Sequence, residues 1–165
     1  MPEEIVYIAL GSNLDSPRTQ VCKAIDTLSR LPASRLLSQS SLYSSYAVGP
    51  GEQSDYVNAV VAMETSLEAQ PLLELLQNIE KQHGRIRHRR WEPRPLDLDI
   101  LLFGMQTMAT ETLDVPHPEM GKRHFVLYPL AEIAPELILP DGTSLKQLLA
   151  ACPVAELRKL DNTTL

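Results

Sequence analysis

Two aspartates one residue apart, Asp97 and Asp99, alternate with apolar residues in the run Leu96-Asp97-Leu98-Asp99-Ile100. Alternate side chains of an extended strand share a face, so this spacing sets both carboxylates on one side, about 7 Å apart along the backbone. Carboxylates so close repel unless a cation intervenes or one is protonated. Mg²⁺ suits such a pair: it takes one or two carboxylates and completes its shell with water and substrate phosphates. Alone, the pair also fits the polar face of an edge strand. The run that follows, Ile100-Leu101-Leu102-Phe103, is apolar at every position and implies a strand buried on both faces. Aspartates at the end of such a strand need a reason.

The preceding loop supplies one. Arg85, Arg87, Arg89, Arg90 and Arg94 put five guanidinium groups within ten residues. Their planar donor forks match phosphate oxygens. Cations beside a carboxylate pair make a site for a metal–polyphosphate complex, met by opposite charge from two sides. From Glu80 to Arg94 six cations face two anions, in a chain whose net charge is −6. Basic charge concentrated in an acidic protein points to a local anion site rather than a nucleic-acid surface, with a solvated loop as the alternative. Trp91 either anchors this loop or belongs to the core. Glu80 either reaches the site or is a solvated helix carboxylate. There is no GxxxxGK[ST] loop, Gly11-Ser12-Asn13 lacks the glycines of a dinucleotide loop, and protein-kinase landmarks are missing.

Elements that could position these groups follow from the apolar pattern. Residues 4–10 read as a buried strand broken by Gly11-Ser12-Asn13. Ser16-Pro17 reads as N-cap and first residue of a helix whose stripe is Val21, Ala24, Ile25, Leu28 and Leu31, with Pro32 ending the run. Residues 35–46 look extended, 47–54 form a loop around Gly49-Pro50-Gly51, and 55–65 return to strand. A second helix begins near Pro71, with Leu72, Leu75, Leu76 and Ile79 as its stripe and Gly84 as a left-handed C-terminal residue. The Arg-rich loop 85–95 leads into strand 96–103. Beyond Gly104 come a short extended piece, a proline-rich turn at Val115-Pro116-His117-Pro118, and one or two short helices, with a turn at Asp141-Gly142. The order β-α-β-β-α-β plus a C-terminal extension predicts an α+β ferredoxin-like sandwich with a mostly antiparallel sheet.

With 165 residues, 44% apolar and 22% charged, the chain is expected to form one catalytic domain, 1–165, with a core large enough to need no staples. No apolar run reaches the roughly 20 residues of a membrane span, so a cytoplasmic setting is expected. Cys22 and Cys152 have no metal or redox spacing, and Cys22 falls in a helix as a small hydrophobe.

Taken together, Ala9-Leu10-Gly11-Ser12-Asn13-Leu14, Gly84-Arg85-Ile86-Arg87, Arg90-Trp91-x-Pro93-Arg94-x-Leu96-Asp97-Leu98-Asp99-Ile100, Val115-Pro116-His117 and Arg123-x-Phe125-Val126-Leu127 resemble the 6-hydroxymethyl-7,8-dihydropterin pyrophosphokinases, from about residue 5 to residue 150. The resemblance implies transfer of pyrophosphate from Mg·ATP to the pterin hydroxymethyl group, with release of AMP, in folate biosynthesis. It implies that Asp97 and Asp99 hold two Mg²⁺ ions, and that Arg85 and Arg94 meet the phosphates and stabilise developing charge. Gln77, Glu80, His117 and Arg123 match positions on the ATP side. Tyr56 and Phe125 match pterin-facing aromatics and Asn58 the residue that bonds the pterin edge; by the residues alone, Tyr56 and Phe125 read more readily as core. Small-molecule substrates, no nucleic-acid or membrane partner, and a monomer are expected.

The chain departs from the family pattern at Glu92, where Gly or Ala is common, and at Ser45-Tyr46-Ala47, which replaces Thr-Pro-Pro. The interval from Arg87 to Trp91 is shorter than in some relatives, so the roles of Arg89 and Arg90 stay open. Two other readings compete: another Mg²⁺-dependent nucleotidyltransferase, which would release pyrophosphate, and a non-catalytic nucleic-acid module on a ferredoxin-like sheet, for which the chain lacks the aromatic pattern.

Overall fold

The computed structural model describes residues 3–13, 16–45, 56–83, 96–152 and 157–160. The chain begins with strand β1 (Glu4–Ser12) and helix α1 (Pro17–Leu28), followed by β2 (Ser34–Gln39), β3 (Tyr43–Ser45) and β4 (Tyr56–Thr65). Helix α2 (Ala69–Gln82) leads to β5 (Asp97–Phe103), then a hairpin of β6 (Met108–Ala109) and β7 (Asp114–Val115). A 3-10 turn at Met120–Lys122 precedes α3 (His124–Ile133), α4 (Leu145–Ala151) and β8 (Leu157–Lys159). The main sheet runs β5-β1-β4-β3-β8, with β2 also paired to β4, and every pairing is antiparallel. This is the expected α+β ferredoxin-like arrangement, with the second strand split into β2 and β3.

The sheet has two apolar faces, each with its own helices. Val6, Ile8 and Leu10 of β1, Val57, Ala59, Val61 and Met63 of β4, and Leu98 and Ile100 of β5 pack with the stripes of α1 and α2. Ala9, Val60, Leu101 and Leu102 pack on the other side with Val126, Leu127 and Leu130 of α3 and Leu145 of α4. Leu127 and Leu130 are fully buried, each stabilising the fold by about 1.5–3 kcal/mol relative to an exposed side chain. Strands buried on both faces explain why β4 and the end of β5 read as continuous apolar runs.

Strand β5 changes phase part-way. Ile8 pairs with Ile100 and Tyr7 with Leu102, so Leu101 is an extra residue, a bulge. Leu101 and Leu102 therefore both face α3, while Phe103 returns to the side of α1 and α2. At the strand's end Gly104 has φ +55°, a left-handed conformation that favours glycine, and a Cβ there would also displace the Glu4 carboxylate.

Four local expectations need correction. β1 continues through Gly11 and Ser12, because both pair across the sheet with β4. Ser16 precedes α1 in a left-handed conformation and gives no side-chain cap; Pro17 alone marks the helix start. The extended stretch 35–46 is interrupted between Gln39 and Tyr43, where the register against β4 has shifted. Strand β8, three residues long, was not expected from its sequence. The loop 47–54, Gly84 and the Arg-rich loop 85–95 with Trp91 and Glu92 lie outside the described residues.

Candidate functional site

Strand register builds the site. Gly11 of β1 lies opposite Asp97 on one side and Asn58 on the other, and Asn58 lies opposite Tyr43 of β3. One row of the sheet therefore reads Asp97, Gly11, Asn58, Tyr43. Two residues along, the next row reads Asp99, Ala9, Val60. Directly paired residues share a face, and Ala9 and Val60 face α3. Asp97, Asp99 and Asn58 thus share the α3 face, and Tyr56, two residues from Asn58, joins them. Both aspartates and Tyr56 are half-buried, while Leu98 and Ile100 between and beyond the carboxylates are buried in the opposite layer.

Gly11 keeps this row open. A Cβ there would lie 3.3 Å from Asn58 Oδ1 and 3.9 Å from the Tyr56 ring. The first distance is closer than side-chain carbons normally approach, so a larger residue would displace the amide. Asn58 is itself held: its Nδ2 donates to Ser45 Oγ at 2.7 Å, and both residues are buried.

β5 is an edge strand of the sheet, and two of its outer main-chain groups are met by other elements. Glu80 Oε2 accepts the Leu98 main-chain N–H at 2.8 Å, and Glu80 is only 6% exposed. The solvated-carboxylate reading of Glu80 is therefore excluded; the carboxylate fastens α2 to the strand between the two aspartates. Gln77, one turn earlier on α2, is half-buried. Further along, the His117 main-chain N–H donates to the carbonyl of the bulged Leu101 at 2.9 Å.

His117 Nδ1 accepts the Glu119 main-chain N–H at 3.1 Å, so the neutral ring carries its proton on Nε2. Burial pushes this imidazole below the ordinary histidine range; the Asp99 charge opposes that and the Arg123 charge adds to it. Asp99 and Arg123 are thus both within electrostatic reach of His117. The Arg123 guanidinium lies 5.8 Å from the centre of the Phe125 ring, at the start of α3, and His124 packs edge-on against the same ring at 5.4 Å. Phe125 is half-buried against the α3-side core. Arg85 and Arg94 lie outside the described residues.

Among the described residues no three histidine, cysteine or acidic side chains converge as a metal cage. Asp97 and Asp99 are an oxygen-donor pair of the kind that Mg²⁺ accepts, with water and phosphate completing its shell. Sequence reasoning missed Ser45 as a partner of Asn58. Serine is common in polar strands, and a pairing 13 residues apart leaves no local signal. Cys22 is half-buried on α1, and burial raises its thiol pKa, in keeping with an inert small hydrophobe.

Residues 7–135 match the family 7,8-dihydro-6-hydroxymethylpterin-pyrophosphokinase (HPPK). The chain belongs to the HPPK family. It is 53% identical to the 2-amino-4-hydroxy-6-hydroxymethyldihydropteridine pyrophosphokinase of Pseudomonas aeruginosa over 155 residues, 94% of this chain and 96% of the relative. The enzymes of the same name from Haemophilus influenzae and Bacillus subtilis are 48% and 46% identical, covering 87% and 81% of this chain and 89% and 80% of theirs. Among solved structures, an HPPK-DHPS in complex with substrates superposes with a TM-score of 0.73 at 13% identity over 92% of this chain. The Plasmodium falciparum HPPK-DHPS with pteroate gives 0.70 at 13% identity over 90%. This chain spans only 43% and 42% of those longer chains, so they speak for the fold alone. Family membership makes this chain a pyrophosphokinase.

Proposed function

We propose that this chain transfers pyrophosphate from Mg·ATP to the hydroxymethyl group of 6-hydroxymethyl-7,8-dihydropterin, releasing AMP, as a step of folate biosynthesis. The observation that carries this reading is the row Asp97, Gly11, Asn58, with Asp99 beside it on the same face. That row sets two carboxylates suited to a metal next to an amide suited to a heterocycle edge, with a glycine between them.

In this reading the pterin hydroxyl oxygen attacks the β-phosphorus of ATP, the bond from that phosphorus to the oxygen bridging to the α-phosphate breaks, and AMP leaves. Asp97 and Asp99 would hold two Mg²⁺ ions, which supply charge neutralisation across the phosphates and activation of the hydroxyl. Arg85 and Arg94 meet the phosphate oxygens. The Nε2–H of His117 and the Arg123 guanidinium are donors for the nucleotide, and Gln77 and Glu80 flank it from α2. Glu80 serves by holding β5 in place. Tyr56 and Phe125 enclose the flat ring, and Asn58 bonds its edge.

The chain is proposed to act as one domain and as a monomer on these two small molecules, in the cytoplasm, with no nucleic-acid or membrane partner. No helix among the described residues is long and apolar enough to cross a membrane. Incubation with Mg·ATP and 6-hydroxymethyl-7,8-dihydropterin, followed by identification of the nucleotide product, tests the proposal. AMP and the pterin diphosphate are expected. Pyrophosphate release would instead support a nucleotidyltransferase, and no turnover with nucleic-acid binding would support the non-catalytic module.

A further inference from the structure

We propose that Ser45 is a positioning residue for the pterin: its hydroxyl holds the side-chain amide of Asn58 in one orientation, leaving the amide oxygen and one N–H to face the ring edge. The proposal rests on the reading of Asn58 as pterin-facing.

The register explains the contact. Ser45 pairs with Tyr56 while Asn58 pairs with Tyr43, so Ser45 and Asn58 are diagonal neighbours on one face of the β3–β4 ladder. The amide bridges that diagonal, with Nδ2 2.7 Å from Ser45 Oγ. Its other end points the opposite way, because Oδ1 is the atom a side chain on Gly11 would meet. The amide therefore lies across the sheet, nitrogen toward β3 and oxygen toward β1 and the Asp97 row.

An asparagine amide has two N–H donors and one acceptor oxygen. Ser45 engages one donor, and what remains is a donor beside an acceptor. A heterocycle edge with a ring nitrogen next to an N–H is the complement of that pair. If the amide turned by half a revolution, a donor would replace the acceptor on the β1 side and the match would be lost. Ser45 is 5% and Asn58 4% exposed, so water does not compete freely for the contact.

Ser45 is a firm anchor because its strand is clamped. Glu132 of α3 accepts the Ser41 N–H at 3.0 Å, the Ser41 hydroxyl at 2.8 Å and the Tyr43 hydroxyl at 2.6 Å. These bonds tie β3 to the helix two residues before Ser45.

The test compares Ser45→Ala, Ser45→Thr, Asn58→Ala and the Ser45→Ala/Asn58→Ala pair. Calorimetry gives affinities for 6-hydroxymethylpterin in the presence of α,β-methylene-ATP and Mg²⁺, and for the nucleotide analogue alone. NMR of the free proteins follows the Asn58 side-chain NH₂ resonances. Ser45→Ala is expected to weaken pterin binding about 3- to 10-fold, the worth of one hydrogen bond, and to leave nucleotide affinity within about twofold. Ser45→Thr, which restores a hydroxyl, should restore affinity. Ser45→Ala should add no further loss to Asn58→Ala, since coupled partners are non-additive. Ser45→Ala should also shift the Asn58 NH₂ pair with no ligand present. Unmoved NH₂ resonances, or equal losses for both ligands, would overturn the positioning role. Full pterin affinity in Asn58→Ala would overturn the pterin reading itself, while the NMR shift would still report the contact.

Discussion

The carboxylate of Glu80 accepts the main-chain N–H of Leu98, the residue between Asp97 and Asp99, at 2.8 Å. A group on one side of the sheet thereby sets the backbone from which two carboxylates project on the other side. Glu80→Leu removes the acceptor and leaves a buried N–H unpaired, at a cost of about 1–3 kcal/mol. The melting temperature should fall, and the Mg²⁺ concentration needed for half-maximal activity should rise. Glu80→Gln keeps an acceptor oxygen and should recover most of both. A Glu80→Leu protein with unchanged stability and Mg²⁺ requirement would remove this role.

Asp97→Ala and Asp99→Ala should each lower AMP release by about 10²-fold or more, the scale seen when a stabilising group for developing charge is lost. Both are half-exposed and lie outside the leucine layer, so circular dichroism and cooperative unfolding should be preserved. Mg²⁺-dependent turnover within tenfold of the parent in either variant would refute the metal assignment.

Gly11→Ala places a methyl 3.3 Å from Asn58 Oδ1. Crowding of this kind costs about 1–3 kcal/mol when the neighbour must move. Pterin affinity should fall more than nucleotide affinity, because the displaced atom belongs to Asn58. Titration of each ligand separates the two effects, and equal losses would argue against a pterin site above Gly11.

His83 ends α2 and its Nδ1 lies 2.5 Å from Gln20 Oε1 on α1. Burial, helped by Lys23, lowers its pKa from the ordinary 6.5. Below about pH 6.5 the unfolded chain binds a proton that the folded form resists, so stability falls with pH until the lowered folded value is passed. Above 6.5 both states are neutral and the term vanishes. His83→Gln should therefore show a smaller drop in melting temperature between pH 7.5 and 5.5 than the parent; an identical drop would show that other groups carry it.

Much of the fold was legible because its elements are long and apolar. The stripes of α1 and α2 and the runs at 56–65 and 97–103 declare themselves locally, and period-two spacing places Asp97, Asp99, Tyr56 and Asn58 on their shared faces. The missing parts are non-local. Nothing in Leu101 distinguishes a bulge from a paired leucine; only the register of β1 against β5 decides. Glu80 reads as a surface carboxylate until β5 is set beside α2. β8 is three residues with one partner, β3, 112 positions away at its closest pairing, Ser45 with Leu157. Ser45 lies in the stretch expected to be extended and reads as a departure from the family pattern, yet its hydroxyl oxygen accepts an N–H of the Asn58 amide.

The extra residue at Leu101 divides β5 into two independently facing halves. Up to Asp99 the odd-numbered side chains look toward α3; after the bulge Leu102 does. An insertion or deletion in the segment after Phe103 therefore cannot rotate the carboxylates, because the phase reversal and the Leu101 carbonyl bonded to His117 lie between. A one-residue insertion or deletion within Asp97–Ile100 would exchange acid for leucine at the β5 positions that face α3. Length is therefore constrained within Asp97–Ile100, where pairing with β1 fixes which face the carboxylates take.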